Sequence, residues 1–181
     1  MDQANSASEY NIDKTSEGIV FADKDGNQVM LMKSSGSSPE GYTIVDANNI
    51  EHEFMSGWSK PSLNISGMPL YSSSTMIKLY DHQGGNEVQR MTVTAQSITS
   101  TKMNLTLLDK RDNIIAFIAE TGTNGVYQVK DAHGMQAASL SRQGSRPSYK
   151  LSIGNPLALP QSVMFKLAAG MVLFNQMSIK Q

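Results

Sequence analysis

The chain has 181 residues, 15 basic and 16 acidic side chains, 17% charged and 39% hydrophobic residues, and no cysteine. That length suits one domain with a real core. A net charge of −1 excludes a polybasic nucleic-acid binder, and the absent cysteines exclude disulfides, thiolate metal sites and a cysteine nucleophile. The charge is uneven: residues 1–90 carry 6 basic and 12 acidic residues, residues 91–181 carry 9 and 4. A basic second half can face an anionic surface even in a nearly neutral protein.

The first residues, Met1 to Tyr10, are polar, without the basic and apolar regions of a targeting signal. Residues 1–16 therefore read as a disordered lead and 17–181 as one domain. From there one pattern recurs. An alternating apolar run ends at an aspartate, a polar turn follows, and a second apolar run begins. The aspartates are Asp23, Asp46, Asp81, Asp109 and Asp131, at intervals of 23, 35, 28 and 22 residues. Those intervals are too irregular for a solenoid or propeller and suit successive hairpins. An aspartate carboxylate accepts from the backbone two residues on, and Gly or Asn then supplies the positive φ that a tight turn needs. The stretch Asp23-Lys-Asp25-Gly26-Asn27 looks like a calcium loop, but the twelfth position is Ser34 rather than the bidentate glutamate, so no metal is expected. Connectors such as 34–41, 56–61, 72–74 and 142–147 are rich in Gly, Ser and Pro. With Ser148 to Ile153 added, about twelve strands are expected.

Near Pro160 the alternation stops. Residues 163–174 are apolar nearly all round, interrupted by Lys166 and Gly170. Met, Leu and Ala favour helix, and Ser162 is placed to cap it. Twelve residues are too short for a bilayer span, which takes about 20. A helix with no polar face must be surrounded by other structure, and a closed sheet supplies that. Val163, Phe165, Leu167, Met171, Val172 and Phe174 are therefore the expected core of the helix. A short strand, Met177 to Lys180, is expected after it.

The run Leu159-Pro-Gln-Ser-Val-Met-Phe-Lys166-Leu-Ala-Ala-Gly170-Met-Val-Leu-Phe174 is similar to the C-terminal stretch of phospholipid scramblases, where a proline and a lysine precede an apolar run. Tyr42-Thr-Ile-Val-Asp46-Ala-Asn-Asn49 resembles the strand–Asp–turn–strand units of LURP-one-related proteins. From about residue 17 to its end the chain thus resembles the tubby C-terminal-like superfamily. The resemblance implies an all-β fold, a twelve-stranded antiparallel barrel enclosing a hydrophobic C-terminal helix. It also implies a module for anionic phospholipid head groups. Here the helix is followed by Asn175 and Gln176 and contains no carboxylate, so the calcium-driven chemistry associated with scramblases is not expected.

Catalytic patterns are absent from the sequence. His52, His82 and His133 share no ligand spacing, and no Gly-x-Ser-x-Gly elbow or phosphate-binding glycine loop occurs. The expectation is a non-enzymatic, cytoplasmic protein without cofactor or metal, peripheral rather than integral at a membrane. The positive signal is cationic. Lys110, Arg111, Lys130, Arg142, Arg146 and Lys150 form an anion site if their turns gather at one end of a barrel. The partner is then an anionic phospholipid or membrane surface. The rival reading is an interaction or scaffold domain whose partner is another protein. Nucleic acid is not expected, since Trp58, the sole tryptophan, lies far from these residues in sequence.

Overall fold

All five aspartates close their hairpins as carboxylate-capped turns in the computed structural model. It describes residues 9–35, 41–56, 74–95, 103–123, 125–144 and 148–179. At Asp23 the N–H groups of Asp25 and Asn27 both donate to Oδ1 at 2.9 Å. Asp109 and Asp131 do the same for residues two and four further on, as does Asp46 for Asn48 and Ile50. Asp81 has a longer turn and accepts from Asn86 at 3.0 Å. The residue three after each aspartate has positive φ: Gly26, Asn49, Gly84, Asp112 and Gly134.

These hairpins join twelve strands: β1 (Glu9–Lys14), β2 (Gly18–Asp23), β3 (Gln28–Ser34), β4 (Tyr42–Asp46), β5 (Glu51–Ser56), β6 (Ser74–Tyr80), β7 (Glu87–Ala95), β8 (Met103–Asp109), β9 (Ile114–Glu120), β10 (Val126–Asp131), β11 (Gln136–Arg142) and β12 (Ser148–Ile153). Every neighbouring pair is antiparallel, and β1 pairs with both β2 and β12, which closes the sheet into a barrel. Helix α1 (Gln161–Ile179) follows.

Two expectations are corrected. Residues 9–14, assigned to a disordered lead, are the strand that closes the barrel. Their signal is short: Tyr10 and Ile12 alternate with polar residues, and both are buried. Strand pairing on both sides fixes a segment whose own propensity is weak. The expected strand Met177 to Lys180 is instead helical through Ile179, so α1 continues where the apolar run ends. Connector residues 57–73 and 145–147 lie outside the described residues.

The barrel is filled. Along α1 every residue from Val163 to Leu173 is buried, including Val163, Phe165, Leu167, Met171 and Val172. The Phe174 side chain lies outside the described residues. Around the helix stand the inward residues of the strands, among them Ile12, Phe21, Met32, Met55, Leu79 and Leu151, all fully buried. The Phe165 ring meets Tyr10 edge-on and Phe21 at a tilt, each with centroids 5.0 Å apart. Gly170 lets the helix approach the wall, since a Cβ there would lie 2.7 Å from Met91 Sδ and 2.8 Å from Leu105 Cδ2.

Candidate functional site

In an up-and-down barrel alternate connections lie at alternate ends. The five aspartate turns and the β12–α1 connection therefore share one end, the aspartate end. Strands β1, β3, β5, β7, β9 and β11 finish at the far end. This divides the expected cations. Lys110 and Arg111 stand exposed in the β8–β9 turn, and Lys130 lies half-buried in the last part of β10, so all three belong to the aspartate end. Arg142 is exposed where β11 finishes, at the far end. Lys150 is on β12 and pairs with Glu9 at 3.1 Å. Arg146 lies outside the described residues. The five described candidates are thus not one cluster.

The three at the aspartate end have neighbours that sequence reasoning missed. Ile114, Met135 and Leu157 are large apolar residues left 52%, 56% and 95% exposed. They lie in or directly beside three consecutive connections at that end: Ile114 opens β9 after the β8–β9 turn, Met135 is in the β10–β11 turn and Leu157 in the β12–α1 connection. The Asn155 side-chain amide lies 3.6 Å from Met135 Sδ, joining two of them. Their signal in the sequence was slight, because an apolar residue just after a turn reads as the start of a strand. Beside them, Arg90 pairs with Asp112, so one of the local carboxylates is neutralised. This sector combines exposed apolar tips with Lys110, Arg111, Lys130 and the exposed His133, beside the turn carboxylates Asp109 and Asp131.

The other side of the same end is different. There Asp23, Asp25, Asp46, Glu51, Glu53, Asp81 and Glu87 face fewer cations: Lys24, Lys78 and Lys166. Among the described residues Lys166 is the one polar side chain in the buried class, 9% exposed. Its Nζ lies 2.6 Å from Glu53 Oε2 and donates to Gln89 Oε1 at 3.1 Å. The pair ties the first turns of α1 to β5 and β7. Gln161 adds a further tie, its amide donating to the Tyr10 hydroxyl at 2.9 Å.

A pocket of about 340 Å³ opens between the start of α1 and strands β3 to β5. Val29, Met30, Ile44 and Phe165 form its apolar wall, and Asp46, His52, Glu53, Ser162 and Lys166 its polar one. A second, of about 350 Å³, shares His52 and Glu53 and reaches Asp81, Val88 and Gln89. The His52 ring stands 2.8 Å from Asp46 Oδ2. That contact, followed by the Ile50 and Asn48 N–H groups, holds the Asp46 carboxyl below its ordinary range. Asp23 and Asp109 are lowered in the same sense, first by the backbone N–H groups of Asn27 and Asn113.

No family model matches the chain, and no curated protein does. The X-ray structure of a protein from Arabidopsis thaliana is similar, with a TM-score of 0.54 and 9% identity over 93% of this chain and 91% of that one. The likeness is one of fold. It extends over nearly the whole chain. No helix among the described residues is long and apolar enough to cross a membrane.

Proposed function

We propose that the protein is a non-enzymatic, tubby-like module that binds anionic phospholipid head groups, as a peripheral protein on the cytoplasmic side of a membrane. The observation that carries this reading is the sector made by three consecutive connections at the aspartate end. It sets Ile114, Met135 and Leu157 out in solvent beside Lys110, Arg111 and Lys130. Apolar tips entering the head-group region gain about 1.5–3 kcal/mol per fully buried side chain. Each lysine or arginine held near an anionic surface adds about 1 kcal/mol. The helix fills the lumen, so the ligand surface is an outer one. Arg142, at the far end, then belongs outside the contact, and Lys150 already has Glu9 as partner.

Vesicle sedimentation tests this. The protein is expected to pellet with phosphatidylcholine vesicles that also contain phosphatidylserine or a phosphoinositide, and to be released as salt rises, since screening shortens to about 8 Å at physiological ionic strength. Lys110→Glu with Arg111→Glu, and separately Met135→Asp with Leu157→Asp, should each weaken binding by about tenfold or more, the equivalent of about 1.4 kcal/mol. Arg142→Glu should weaken it least. Failure to bind anionic vesicles at low salt, or equal binding to neutral ones, would contradict the reading.

A further inference from the structure

The two pockets beside β5 lie away from the sector with the exposed apolar tips, and carboxylates outnumber cations in their walls. They share His52 and Glu53 as a common wall, so they adjoin, and we call the pair, which reaches from β3 to β7, the cleft. Its carboxylates are Asp46, Glu53 and Asp81. Its one fixed cation, Lys166, is turned onto Glu53 and Gln89. Phosphate-bearing partners are repelled by that balance. The apolar walls are Met30, Ile44 and Phe165 on one side and Val88 on the other. Ile50, 56% exposed, stands in the turn between Asp46 and His52. A lysine or arginine side chain has the matching form, an aliphatic stem for the apolar wall and a cationic head for a carboxylate.

We propose that this cleft is a docking site for a short basic segment of a partner protein, with one cationic side chain in each pocket and an apolar residue of the segment against Ile50. Charge complementarity selects the occupant: with Lys166 matched by Glu53, Asp46 and Asp81 are left as the net charge beside the two cavities, each with a histidine ring 2.8 Å away. The site is separate from the proposed lipid-facing sector.

The test uses the full chain with 13C-methyl-labelled methionine and isoleucine, and two labelled peptides, one alternating Lys and Leu and one alternating Glu and Leu. The Lys peptide should bind and shift the Met30 and Ile44 methyl signals, and the Glu peptide should do neither. Replacing Asp46→Asn and Asp81→Asn together removes two charges while an amide oxygen still accepts the turn N–H groups. That variant should lose affinity by about tenfold, the equivalent of about 1.4 kcal/mol. Asp109→Asn with Asp131→Asn removes the same charge from the other sector and should leave affinity within about twofold. Equal losses in the two variants would reduce the effect to net charge and overturn the proposal. Peptide binding without shifts at Met30 and Ile44 would overturn it as well. So would spermidine binding there as tightly as the peptide, which would mark a small-polyamine site.

Discussion

Asp23, Asp46 and Asp109 each hold a turn through a carboxylate, and each has its pKa lowered in the folded chain. A lowered folded pKa contributes stability that is present above the unfolded value of about 3.9 and is lost as pH falls through the folded value. Unfolding midpoints should therefore stay level from neutral pH to about pH 5 and drop below about pH 4. Asp23→Asn with Asp109→Asn keeps the turn acceptors and should flatten that acid drop, read as the change in urea midpoint between neutral and acid pH. Gly18 sits at φ 145°, where a Cβ would collide with the Met32 carbonyl oxygen. Gly18→Ala should cost about 2–3 kcal/mol, the strain of an L-residue in a conformation reserved for glycine, measured by chemical denaturation. Asx-turn chemistry is local, which is why the aspartates and their turns were readable from sequence. Gly18 was not, because its constraint comes from strand β3.

At the scale of the element, α1 unites the expected and the unexpected. Its burial followed from a segment with no polar face, and eleven consecutive buried residues, 163–173, agree. What periodicity does not show is the partner of Lys166. Glu53 is 113 positions earlier, on β5, in a segment that reads as an ordinary alternating strand. Such a pair is set by strand order and register, which no local pattern carries. Breaking a buried pair from one side leaves an uncompensated charge, at a cost of about 3–5 kcal/mol. Lys166→Met should fall toward the lower part of that range, since Glu53 keeps 27% side-chain exposure. Adding Glu53→Gln should restore much of the loss, because a neutral amide tolerates the site better than a lone carboxylate. A double-mutant cycle from thermal unfolding checks this. Additive losses would mean that the two side chains do not stabilise each other.

Over the whole molecule, the chain runs around the barrel in sequence order, so halves of the sequence become sides of the wall. The acidic first half of the chain places its turns on one side of the aspartate end. The basic second half places Lys110, Arg111 and Lys130 on the other. With Asp109, Asp112 and Asp131 beside those cations, the charge asymmetry of the sequence becomes at this end an acidic side against a nearly balanced one. The five described cations do not gather at one end, because successive connections of an up-and-down barrel alternate between ends. The membrane-facing role of the sector with Ile114, Met135 and Leu157 is the central claim. The chain has no cysteine, so a single one can be placed and labelled with an environment-sensitive dye. The measurement is dye emission from Leu157→Cys, compared with Gly144→Cys at the far end, as phosphatidylserine vesicles are added. A blue shift and rise in emission at position 157, with position 144 unchanged, is the expected result. A response at position 144 with silence at 157 would contradict the account.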